Sequence, residues 1–162
     1  MLPGVIAPIG RASALHAEGC EFESRWLQLR LKGENMVFNT NKEKGKAGLA
    51  MGIAYFGSNG YTVSIPLNDT QDYDFIIEKE NNFQKVQCKS TGSKNPSGTY
   101  KVKLSSWGGA NGGTYYGTVK DSSADILFVL VENGDKYVIP VSKITGIGQL
   151  TLTNYENYKV EI

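Results

Sequence analysis

A chain of 162 residues is about one domain long, and with 40% hydrophobic and 20% charged residues it has the make-up of an ordinary soluble globular protein. Its formal net charge of +1 neither favours nor excludes nucleic acid until the charges are located, and its 19 glycines point to many turns. Two cysteines, Cys20 and Cys88, and a single histidine, His16, are too few and too scattered for a structural zinc site or a disulfide framework.

The opening run from Met1 to Ile9 is apolar, but Pro3 and Pro8 break it, no basic region precedes it, and it is too short to span a bilayer. Neither secretion nor membrane association is expected; a cytoplasmic location is, with Cys88 read as a small buried strand residue in a reducing compartment. Residues 1–35 differ from the rest. They show no sustained period and hold the only arginines, Arg11, Arg25 and Arg30; beyond Arg30, lysine carries every positive charge. This switch predicts a poorly structured or spurious extension over 1–35 and a folded domain over 36–162, with the boundary at Met36. The patch Gly19-Cys20-Glu21-Phe22-Glu23-Ser24-Arg25 can be encoded as GGC TGC GAG TTC GAA TCT CGC. That string contains GCGAG, a loop TTCGAAT and CTCGC, an inverted repeat resembling the T arm of a transfer RNA gene. On that reading the segment is a tRNA gene read through in frame and Met36 is the natural start; otherwise it is an ordinary disordered or poorly packed extension.

From Thr40 to Phe56 the pattern is helical: Thr40 or Asn41 can cap, Glu43 sits in the first turn, and Ala47, Leu49, Ala50, Ile53 and Ala54 recur at helical spacing before the stop Gly57-Ser58-Asn59-Gly60. Gly45, Gly48 and Gly52 each weaken an isolated helix by about 1 kcal/mol relative to alanine, so they are read as marks of close packing on a sheet. Tyr61 to Ile65 alternates as a short strand stopped by Pro66. Tyr73 to Glu80 and Phe83 to Ser90 follow as a hairpin turned near Asn81-Asn82. Tyr100 to Leu104 alternates again, with Lys101 and Lys103 on one face. Trp107 to Tyr116, rich in glycine, reads as a flexible loop leading to a short strand. The continuous apolar run Asp125 to Val131 predicts a strand buried on both faces. Asn133-Gly134-Asp135 turns it into Lys136 to Val141, and Leu150 to Ile162 holds one or two short strands. The expected architecture is α/β, one helix laid on a mixed sheet.

Alternation along the hairpin sends Val86 and Cys88 into the core with Phe75 and Ile77, and leaves Asp74, Gln87 and Lys89 on the other face. A turn of two or four residues pairs odd with even positions, setting Asp74 opposite Gln87 or Lys89. An acid, an amide and a lysine then come within reach of one metal ion. A hard cation such as magnesium or manganese would take the Asp74 carboxylate, the Gln87 side-chain oxygen and the Cys88 backbone carbonyl, with waters completing the shell. Lys89 would hold the attacking water and offset charge on a phosphate in the transition state, as hydrolysis of a DNA strand requires. The plainer alternative is that Asp74 and Lys89 form a cross-strand ion pair, which at a surface contributes about 0–1 kcal/mol.

Pro66, the run Asp74-Phe75-Ile76-Ile77 and, further on, Gln87-Cys88-Lys89 resemble the PD-(D/E)xK nuclease signature, in the Q-x-K variation of the group I intron-associated homing endonucleases. The similarity extends through Lys42-Glu43-Lys44-Gly45 and Gly60 to Pro66 on one side, and through Asp125 to Val129 and Lys136 to Pro140 on the other, covering about residues 39–160. It implies a restriction-endonuclease-like core, with Asp74 as metal-binding acid, Gln87 in the usual second-acid position and Lys89 as catalytic lysine. Two departures stand out. Many such nucleases carry a glutamate on the first helix, four residues after a glycine like Gly45, where this chain has Leu49; Glu43 is the one acid on that helix. Gln87 is neutral, so the site offers one firm carboxylate. Asp72, two residues before Asp74 and on the same strand face, is read as shaping the turn with Asp69, the alternative being that it assists the site.

Lys79, Lys85, Lys89, Lys94, Lys101, Lys103 and Lys120 face a single acid, Glu80, between positions 79 and 120, the place for a phosphate-tracking surface. Lys94, Lys101 and Lys103 are the expected DNA contacts. Trp107, Tyr115 and Tyr116 would reach a groove or a partner subunit, or else serve as core and edge-strand residues. The reading is a sequence-specific, metal-dependent endonuclease acting on double-stranded DNA, homing to an intronless tRNA gene, and working as a dimer or tetramer because one small domain cannot reach both strands of a long site. The rivals are a restriction or Holliday-junction-type nuclease, and a DNA-binding module with a degenerate active site.

Overall fold

The computed structural model describes residues 36–38, 40–68, 70–108 and 115–161, with the backbone alone for 106–108 and 115–116. The expectations placed on residues 1–35, including the tRNA read-through, lie outside them, as does Asp69. Thr40 caps helix α1 (Asn41–Ser58), its hydroxyl accepting the Glu43 N–H at 3.1 Å. The helix runs two residues past Phe56 before Asn59 and Gly60, the latter at φ 77°, end it.

The glycines of α1 divide into two kinds. A Cβ on Gly48 would collide with Ser90 Oγ, and one on Gly52 would lie 3.0 Å from Cys88 Sγ and 3.3 Å from the rings of Phe75 and Phe128, so both record close approach to the sheet. Gly45 is exposed and has nothing within 4 Å, so the close-packing reading fails there. We therefore expect Gly45→Ala to stabilise the domain by up to about 1 kcal/mol, seen as a higher urea midpoint. Gly52→Ala should lower the midpoint despite the same intrinsic gain, because the new methyl would press on the rings of Phe75 and Phe128, both fully buried in a packed core.

The main sheet runs β1 (Thr62–Ser64), β2 (Phe75–Lys79), β3 (Asn82–Thr91), β7 (Ile126–Val131), β8 (Lys136–Pro140) and β10 (Lys159–Val160) in spatial order, while β4 (Lys101–Lys103) pairs with β9 (Gln149–Thr151) and β5 (Ser105–Gly108) with β6 (Tyr115–Thr118). The β3–β7 contact is parallel and the other pairings are antiparallel, making the sheet mixed. All six residues of β7 are buried, as the unbroken apolar run predicts. Helix α1 covers the face carrying Phe75, Cys88 and Phe128. Leu127, Val129 and Ile139 pack on the other face with Val102, Leu104, Leu150 and Leu152, contributed by the β4–β9 pair and the segments beside it. Trp107 stands in register with Tyr116 across β5–β6, so paired strands occupy both ends of the stretch expected to be a loop.

The β2–β3 turn is made by Glu80 and Asn81, at φ 54° and 62°, a two-residue turn of left-handed residues, and the Asn81 N–H donates to Glu78 Oε1 at 3.0 Å. It lies one residue earlier than the sequence suggested. Phe75 then faces Val86, which sets Asp74 against Gln87 and not Lys89. Because the register moves by two, every side chain keeps its face.

Candidate functional site

Asp74 sits at the mouth of β2, where its N–H donates to Val86 O at 2.8 Å and extends the ladder by one residue. Across from it, Gln87 and Lys89 stand on the face away from α1, while the Cys88 thiol points at Gly52. One carboxylate oxygen, Asp74 Oδ2, accepts from Gln87 Nε2 at 2.7 Å and from the Cys88 N–H. The same Gln87 nitrogen approaches Cys88 O at 3.5 Å. Both neighbours of that amide are acceptors, so its nitrogen must face them. A partly positive N–H₂ thus stands between a carboxylate and a main-chain carbonyl.

This arrangement bears directly on metal binding. Turned end for end, the Gln87 amide would bring a third oxygen to Asp74 Oδ2 and Cys88 O, giving an all-oxygen set that suits a hard divalent cation. The donor set fits such an ion, with a single charge. Among the described residues no cluster of three His, Cys, Asp or Glu side chains could hold a metal, so the neutral oxygens would have to contribute. Burial and the Asp74 charge push the Cys88 thiol well up, which leaves its carbonyl as the group it can offer. Glu43 is exposed on the first turn of α1, and Leu49, six residues on, brings no acid.

Lys89 is held below the usual lysine range by burial, with the Asp74 carboxylate acting against that and Lys103 adding to it. Its ammonium is therefore set between a carboxylate that favours the charge and a surrounding that disfavours it. Asp72 does something the sequence did not suggest. Its carboxylate accepts from Ser123 N at 2.7 Å and Ser123 Oγ at 2.6 Å, tying the approach to β2 to the approach to β7, and the Ser123 hydroxyl bond chiefly lowers its pKa.

The lysines separate by neighbourhood. Lys79 lies 4.9 Å from the Tyr61 ring, Lys85 5.2 Å from Tyr73, and Lys94 4.5 Å from Tyr100 and 4.0 Å from Glu132. Lys101 and Lys103 instead line a cleft of about 590 Å³ that also takes in Lys44 and Asn41 of α1, Ser90 and Thr91 of β3, and Gln149 of β9. Lys44, Asn41 and Gln149 escape a sequence reading, because their share in the cleft depends on the placing of α1 beside the end of β3 and on the pairing of β9 with β4.

The PD-(D/E)XK endonuclease family matches residues 39–159 of this chain. Among solved structures, the bacterial homing endonuclease I-Ssp6803I is similar at a TM-score of 0.60 and 25% identity, over 76% of this chain and 80% of that one. No curated protein sequence matches significantly. No described helix is long and apolar enough to cross a membrane.

Proposed function

The chain belongs to the PD-(D/E)XK endonuclease family, and from that premise we propose that it is a metal-dependent, sequence-specific DNA endonuclease of the intron-homing type, cutting with Asp74, Gln87 and Lys89. The observation that carries this reading is the convergence of Asp74 Oδ2, the Gln87 amide and the Cys88 carbonyl on the face that also presents Lys89. Likeness to a homing endonuclease over most of the domain supports the homing part.

In this proposal Asp74, the Gln87 side-chain oxygen and Cys88 O would hold a magnesium or manganese ion, which would supply Lewis-acid polarisation of the phosphate and a more acidic water. Lys89 places its ammonium against the charge that builds on the phosphate and orients the attacking water; its partial burial makes that charge act through less water. Lys101 and Lys103 meet the DNA. Lys94 is engaged by Glu132 and Tyr100 and contributes less. Two or four copies act together, because one domain of this size reaches one strand of a long site. The target is an intronless tRNA gene, motivated by the codon pattern available to residues 19–25.

Cleavage assays on an intronless tRNA gene, a four-way junction and random duplex, each with magnesium or EDTA, test this. The expected result is magnesium-dependent cutting of the tRNA gene alone. Cutting of junctions regardless of sequence would sink the homing assignment and leave a junction nuclease.

A further inference from the structure

The cleft beside Lys89 has the chemistry of a phosphate seat. Three lysines line it from two elements, Lys44 of α1 and Lys101 and Lys103 of β4, and no carboxylate joins them there. The described ion pairs, Lys94–Glu132 and Lys159–Asp135, involve none of the three. The remaining lining is hydroxyl, amide and glycine: Ser90, Thr91, Ser93, Ser105, Asn41, Gly148 and Gln149. Sites for drug-like molecules are mostly apolar, so this composition selects a polyanion.

The cleft is also built in advance. Thr91, 4% exposed, donates from Oγ1 to Lys101 O at 2.6 Å and accepts from Ser93 N at 3.1 Å, which joins the end of β3 to the start of β4. Lys103 lies opposite Gln149 in the β4–β9 register, and Leu104 N donates to Gly148 O at 3.0 Å, fixing the rim. Ser90 Oγ is buried with no hydrogen-bond partner among the described residues. Thr91, two residues beyond Lys89 and on the same strand face, lines the cleft, and the Lys103 charge is felt at Lys89, so the cleft continues from the candidate site along β3.

We propose that this cleft seats the sugar–phosphate backbone of the DNA strand next to the bond that is cut, with Lys44, Lys101 and Lys103 contacting consecutive phosphates and Gln149 on the rim. The proposal rests on the nuclease reading and adds to it the path of the strand. A lysine from the helix and two from the small sheet grip the backbone from two sides, which fixes the distance from Lys89 to the scissile phosphate.

The test is the salt dependence of binding to a duplex carrying the cut site, measured by fluorescence anisotropy in EDTA. Each phosphate contact contributes about −0.9 to the slope of log K against log salt. Lys44→Ala, Lys101→Ala and Lys103→Ala should each flatten that slope by roughly this amount. Lys46→Ala, which removes the same charge from an exposed position on α1 outside the cleft, should leave it unchanged. Gly148→Leu tests shape with charge held constant, because a Cβ at this cleft-lining position meets no protein atom within 4 Å. It should weaken binding at least about tenfold with the slope preserved. Equal slope changes for Lys46→Ala and the cleft lysines, or full affinity in Gly148→Leu, would overturn the seat while wild-type cleavage leaves the nuclease reading standing. Absence of any DNA binding or cutting by the wild type would remove both.

Discussion

Replacing Lys89 by alanine, or Asp74 by asparagine, is expected to reduce DNA cleavage by at least about 10²-fold while the affinity for duplex DNA in EDTA changes little. The two substitutions fail for different reasons. Asp74→Asn keeps an oxygen that accepts from Gln87 Nε2 and from the Cys88 N–H, so the local structure persists, but the charge that would hold a cation is gone. Lys89→Ala leaves the Asp74–Gln87–Cys88 group intact and removes the ammonium that would offset charge on the phosphate. A magnesium titration therefore tells them apart, since excess metal should recover part of the Asn variant and none of the Ala variant. Unchanged cutting by both would return Asp74 and Lys89 to a plain cross-strand ion pair. Absence of cutting in the wild type, with binding intact, would favour a DNA-binding module that Leu49 and Gln87 have left without full chemistry.

Local signals carried much of this fold. Thr40 as a cap, the glycine-rich stop after α1 and the unbroken apolar run of β7 each act through neighbours a few residues away; the cap and the buried run appear where the pattern sets them, and the helix stops within its predicted stop segment, two residues late. Face parity on the β2–β3 hairpin was also legible, because a side-chain period of two survives an error of one residue in the turn. The register itself was not: Asn81-Asn82 looked like the turn, yet Glu80 and Asn81 take the left-handed conformation. Long-range partners stayed hidden. Asp72 meets Ser123 across 51 residues, and nothing near Asp72 signals it. Lys136, which opens β8, is 1% exposed and donates to Gly134 O at 3.1 Å, a burial that its place in the sequence does not signal. Seven lysines in one stretch suggested one surface, whereas aromatic rings beside Lys79, Lys85 and Lys94 divide them.

Gln87→Glu should make the domain depend on divalent metal for its stability. In the present site the Gln87 amide holds Asp74 Oδ2 at 2.7 Å through its nitrogen, doing without an ion what a cation would do with one. Admitting an ion requires the amide to turn, giving up its bond to Asp74, which contributes about 1 kcal/mol, and its longer approach to Cys88 O. A glutamate in its place sets a second carboxylate against the first. With no metal the pair cannot both ionise cheaply, so at neutral pH in EDTA the variant should lose roughly 1–3 kcal/mol, a fall in Tm of several degrees. The repulsion raises the folded pKa of the pair above its unfolded value. The penalty is therefore present above that raised pKa and fades as pH falls through it, so the variant should approach the wild type near pH 4–5. Magnesium should reverse the loss: ion at about 100 times its Kd adds about 2.7 kcal/mol, and the tighter dicarboxylate site reaches that ratio at lower concentration. Thermal melts at fixed pH, with and without magnesium, decide the matter without any cleavage assay. A variant whose EDTA melt matches the wild type, and whose response to magnesium is no larger, would show that position 87 does not share a cation with Asp74.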